Sequence, residues 1–111
     1  MKLPMQAFAR RTAVITGAGS GLGLALARAL AAEGARLVLA DINADDLAVA
    51  EHGLRAAGTD CISCVTDVAS GASVSALAVR AKAHFGHVHL LFNNAGVSVG
   101  GPVWENSEAD W

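Results

Sequence analysis

No stretch of this sequence comes near the roughly 18 consecutive apolar residues that a membrane-spanning helix needs. The longest apolar segment, 22–32, is interrupted by Arg28. The first five residues also lack the apolar core of a secretory signal. A membrane span is therefore not expected, and the cytoplasm is the expected location. An excess of positive charge is missing too. Eight Lys and Arg against ten Asp and Glu give a net charge of -2, and the one adjacent arginine pair, Arg10-Arg11, is not a patch. Neither nucleic acid nor an anionic membrane is an expected partner. Charged residues are scarce at 16% and hydrophobic residues make up 53%, the balance of a packed core rather than of a disordered chain. A length of 111 residues suits one domain, 1–111.

Cysteine is nearly absent as well. Cys61 and Cys64 form the sole C-x-x-C. A redox pair needs a helix N-terminus and zinc needs further ligands. The surrounding residues read instead as a strand, in which the two α-carbons would lie about 10 Å apart, beyond the reach of a disulfide. The four histidines, His52, His84, His87 and His89, lack metal-ligand spacing such as H-E-x-x-H. No metal site is expected. His52 reads as a surface helix residue, and the other three as a helix end and a strand entry.

What the sequence does contain is a regular alternation. Residues 12–16 are a short β-branched run, and 22–33 are rich in Ala and Leu, with Gly34 as the stop. Residues 36–41 are almost wholly apolar, as in a parallel strand covered on both faces. Asn43 reads as the N-cap of a helix reaching about Ala57, with Asp46 in its first turn. Residues 61–66 form a third strand. Ser70 caps a third helix that places Val74, Leu77, Ala78, Ala81 and Phe85 on one face and ends at Gly86. Residues 88–92 form a fourth strand. The expectation is an α/β fold, a Rossmann-like doubly wound parallel sheet of about four strands with three helices, in spatial order 3-2-1-4.

The chemistry concentrates between the first strand and the first helix, in Thr16-Gly17-Ala18-Gly19-Ser20-Gly21-Leu22-Gly23. Glycine there allows a tight turn and a close approach to a pyrophosphate, while the helix N-terminus presents free N–H groups and positive potential. Asp41 stands at the end of the second strand, 24 residues after Gly17. A carboxylate at that place can accept hydrogen bonds from the adenosine ribose hydroxyls. It also repels a 2′-phosphate, and neither Ser20 nor Ile42 is basic, so NAD is expected over NADP. An ATP-type P-loop would need Gly-Lys-Ser/Thr where Gly21-Leu22-Gly23 stands.

With these residues in view, the sequence resembles the short-chain dehydrogenase/reductase family. Residues Thr16 to Gly23 match its T-G-x-x-x-G-x-G motif, Asn93-Asn94-Ala95-Gly96 its N-N-A-G motif, and Asp67-Val68 the Asp-Val pair that follows the third strand. His89 departs from the acidic residue often found before N-N-A-G. The resemblance implies that Gly17, Ser20, Gly21, Leu22 and Gly23 surround the pyrophosphate and nearby ribose, and that Asp41 binds the adenosine ribose. It implies that Asp67 meets the adenine amino group with Val68 beside the ring, and that Asn94 lines the nicotinamide side. Turn chemistry is the alternative for Asp67, Asn93 and Asn94.

The resemblance also implies a catalytic Tyr, a Lys four residues later, a preceding Ser and a helix-borne Asn. Tyrosine is absent from the sequence, and its two lysines, Lys2 and Lys82, stand at neither matching position. No catalytic residue can be assigned, and the implied alcohol or carbonyl substrate would be met in a longer form. Residues 107–111 read as a helix interrupted in its first turn, so the sequence is expected to be a fragment. Trp104 and Trp111 read as loop packing or as the lining of a substrate entrance. The alternatives are a non-catalytic dinucleotide-binding module or degenerate remnant, and a Rossmann-like methyltransferase, against which the paired motifs argue. Any oligomer is expected of the longer form.

Overall fold

The computed structural model describes residues 9–94. The expected helix start near Ser107, both tryptophans, and Ala95-Gly96 of the N-N-A-G motif lie outside the described residues. Within them the order is β1 (Thr12–Thr16), α1 (Gly21–Ala32), β2 (Arg36–Asp41), α2 (Ala44–Ala56), β3 (Cys61–Val65), α3 (Gly71–Phe85) and β4 (Leu90–Phe92). The sheet is parallel, with the order β3-β2-β1-β4. This is the Rossmann-like α/β arrangement that the alternation predicts.

Side chains of each strand alternate between two layers. Ala13, Ile15, Leu37, Leu39 and Cys61 face α1 and α2, where they meet Ala27, Leu30, Leu47, Ala50 and Leu54. Val14, Val38, Ala40 and Ile62 face α3 through Leu77 and Ala81. The three-residue offset of Cys61 and Cys64 sends them to opposite faces. Cys61 is buried in the first layer, Cys64 packs at the edge of the second, and both are free thiols. Burial, then the nearby Glu51 carboxylate, pushes the Cys61 thiol above its usual range.

Two expectations are corrected. β4 begins at Leu90 rather than at Val88, because the His89 side chain takes up a backbone group of β1 that a strand residue would otherwise pair (below). Ala78, expected to be in contact with the core beside Val74 and Leu77, is exposed and lies along an open groove next to β4. The three helices stop where the glycines predict, at Gly34, Gly58 and Gly86.

Candidate functional site at the carboxyl ends of the strands

The loop from β1 to α1 turns through Gly17 at φ +65°, a conformation that side chains with a Cβ resist. It then runs back over the end of the sheet, where Ala18 N–H donates to the Ala40 carbonyl at 3.0 Å. Gly23, in the first turn of α1, is pressed against this loop. A Cβ at Gly23 would fall inside the Gly17 carbonyl oxygen and 2.8 Å from Asn94 Nδ2. The helix start, the loop and Asn94 are thereby held at backbone contact distance.

The helix start differs from the other two. Asn43 Oδ1 accepts from Asp46 N–H at 3.0 Å, and Ser70 Oγ accepts from Ser73 N–H at 3.2 Å. Ser20, the N-cap of α1, makes no such side-chain bond, and the first turn of α1 carries no acid. Its hydroxyl and the first amides of the helix are left for an outside acceptor, the condition for binding an anion. Ser20 and Leu22 are exposed, Leu22 at 74%.

Asp41 is fixed on both oxygens. Gly19 N–H donates to Oδ2 at 2.8 Å and Asn43 N–H donates to Oδ1 at 2.9 Å. The acid at the end of β2 and the glycine loop at the end of β1 thus form one unit. Ile42 beside it is 67% exposed.

Asp67, just past β3, is held in a turn: its N–H donates to Ser73 Oγ and its Oδ1 accepts from Ala69 N–H, both at 2.9 Å. Among the described residues Oδ2 has no protein partner. Val68 is half-buried and lines the groove on the α3 face with Val14, Thr16 and Val74.

On the other side of β1, Thr16 ties down the start of the N-N-A-G motif. Its hydroxyl donates to Asn93 Oδ1 at 3.0 Å and accepts from Asn94 N–H at 2.9 Å. Gly17, Gly19, Ser20, Gly23, Asp41 and Asn94 are therefore gathered at one edge of the sheet, with Asp67 at the end of the neighbouring strand.

A profile of the short chain dehydrogenase family matches residues 11–111. The chain belongs to the short-chain dehydrogenase family. It is 46% identical over 109 residues to cis-4-hydroxycyclohexanecarboxylate dehydrogenase of Sinomonas cyclohexanicum, covering 96% of this chain and 43% of that one. A short-chain dehydrogenase/reductase of Burkholderia phymatum, solved in complex with NAD, is 55% identical with a TM-score of 0.80 over 94% of this chain and 37% of its own. L-Sorbose reductase of Gluconobacter frateurii, solved with NADPH and L-sorbose, is 34% identical with a TM-score of 0.79 over 94% and 40%. The chain spans about two fifths of the length of these relatives.

In this family member the geometry adds residues that the motifs alone do not single out. Thr16 serves as tether of Asn94 as well as the start of the glycine motif. His89 takes the place of an acid by accepting the Thr12 N–H on Nδ1 at 3.0 Å while its own N–H donates to the Thr12 carbonyl at 2.9 Å. A hydrogen-bond acceptor before N-N-A-G was the available signal. Among the described residues there is no group of His, Cys, Asp and Glu able to hold a metal, and no helix is long and apolar enough to cross a membrane.

Proposed function

We propose that the chain supplies the NAD-binding domain, residues 1–111, of an oxidoreductase acting on an alcohol or carbonyl substrate in the cytoplasm. The observation that carries this reading is the pair of hydrogen bonds from the Gly19 and Asn43 amides that fix the Asp41 carboxylate at the end of β2. A carboxylate so placed suits two ribose hydroxyls and opposes a 2′-phosphate, and no basic residue stands beside it. The bound nicotinamide would supply hydride chemistry. The chain's own part is to hold it: uncapped amides of Gly21, Leu22 and Gly23 with the Ser20 hydroxyl for the pyrophosphate, Asp41 for the adenosine ribose, Asp67 Oδ2 for the adenine amino group, and Asn94 for the nicotinamide side. Val68 would pack beside the adenine ring.

The 111 residues contain no tyrosine. The family's proton transfer therefore has no donor among them, and the chain alone is expected to bind cofactor without turning over substrate. The cofactors of the solved relatives support the preference in part, since the 55% identical neighbour holds NAD and the 34% identical one holds NADPH.

The test is a fluorescence titration with NADH and NADPH of the wild type and Asp41→Ala. A hydrogen bond to a charged acceptor is worth about 1.5–3 kcal/mol. NADH affinity should fall by about tenfold or more in Asp41→Ala, with the NADH/NADPH ratio falling with it. An unchanged ratio overturns the assignment.

A further inference from the structure

We infer that Asp46, in the first turn of α2, is a second determinant of cofactor choice, acting beside Asp41 against a 2′-phosphate. This rests on the dinucleotide reading given above. The geometry centres on Gly19. A Cβ built on Gly19 would lie 2.8 Å from Asp41 Oδ2 and 3.0 Å from the Cβ of Asp46. One point on the glycine loop is thus flanked by two aspartates from two elements, the end of β2 and the start of α2.

The arrangement is fixed rather than incidental. Asn43 holds both acids, donating its N–H to Asp41 Oδ1 and accepting the Asp46 N–H on its own Oδ1. Asp46 is exposed, and among the described residues no ion pair joins it to Arg28, which lines the same groove between α1 and α2.

The consequence shows when Asp41 is removed. Its loss frees the Gly19 and Asn43 N–H groups, two donors well suited to a phosphate oxygen. Asp46 remains within a few ångströms of the same place. A phosphate dianion facing one carboxylate across about 6 Å of water is disfavoured by roughly tenfold, less at high salt. Asp41→Ala alone should therefore cost NAD affinity and gain little for NADP.

Asp45 provides the control. It sits in the same turn of α2, is exposed, and carries the same charge, but the three atoms nearest a Cβ at Gly19 belong to Asp41 and Asp46 and none to Asp45. The experiment measures NADPH and NADH affinity of the protein as encoded, for Asp41→Ala, Asp41→Ala/Asp46→Asn and Asp41→Ala/Asp45→Asn, at low and high salt. The expected result is an NADPH affinity about tenfold higher in the Asp46 double variant than in Asp41→Ala, at low salt, with the Asp45 double variant within about twofold. Equal gains from both double variants, or no gain from either, overturn the inference while leaving the Asp41 assignment standing. A wild type that binds both dinucleotides equally overturns the NAD preference, one that binds neither overturns the dinucleotide reading, and this inference falls with either.

Discussion

Gly23 has no room for a side chain, and the reason lies in what the first turn of α1 is pressed against. The Gly17 carbonyl and Asn94 Nδ2 occupy the space a Cβ would need, and one of the two is backbone that cannot swing away. Overpacking of this kind costs typically 1–3 kcal/mol. Gly23→Ala should sit at the upper end, about 3 kcal/mol, read as a lowered urea midpoint at unchanged slope, and it should push α1 away from the loop, so that NADH binding weakens as well. A variant with wild-type stability and binding would mean that the close approach has no consequence. Gly23 and Asp41 were legible in the sequence because each answers a demand of the backbone or the ligand that few residue types meet. Thr16 was legible only as part of a motif. Its bonds to Asn93 and Asn94 span 77 and 78 residues, and nothing local in a sequence announces a partner that distant. The same holds for His89, whose ring replaces an acid by offering an acceptor to a backbone N–H, a role set by the register of β4 on β1 and not by the residue's own character.

At the scale of the elements, the three helix starts divide the work. α2 and α3 satisfy their own first amides through Asn43 and Ser70, and α2 adds Asp45 and Asp46 in its first turn, which suits the positive end of the helix. α1 does neither. The two kinds of start should answer truncation differently. Asn43→Ala removes a cap and should cost about 1 kcal/mol of stability. Ser20→Ala removes no cap bond and should change stability by less than about 0.5 kcal/mol, while weakening dinucleotide binding. Equilibrium unfolding and NADH titration of the two variants check both halves. If Ser20→Ala destabilised as much as Asn43→Ala and left binding intact, α1 would be an ordinary capped helix. Both caps were legible because an Asn or Ser before a helical period is a local signal. The end of β4 was less so: Val88 and Leu90 carry the same strand propensity, and only pairing with β1 decides that the ladder begins at Leu90.

Across the whole molecule the two faces of the sheet are unequally covered. Among the described residues, two helices pack on one face and build a core of twelve buried residues, whereas α3 alone covers the other, with six. On that thinner side Val14, Val68, Val74, Leu77, Ala78, Val88 and Leu91 line an open groove of about 160 Å³, and Val88 and Leu91 are 37% and 44% exposed. The sheet edges are unequal in the same sense. At β3, Arg55 Nε donates to the Cys61 carbonyl at 3.0 Å and Ser63 Oγ donates to Glu51 at 2.7 Å, so α2 side chains shield an edge that would otherwise offer free backbone groups. Among the described residues no such side chains shield the outer edge of β4, which is three residues long. An apolar groove next to an unshielded strand favours association over a stable monomer. Expressed as these 111 residues alone, the chain should bind a hydrophobic dye and elute larger than 11.2 kDa. A monodisperse monomer that binds no dye would show that the thin side is sufficient as it stands, and that the asymmetry of the two layers carries no thermodynamic weight.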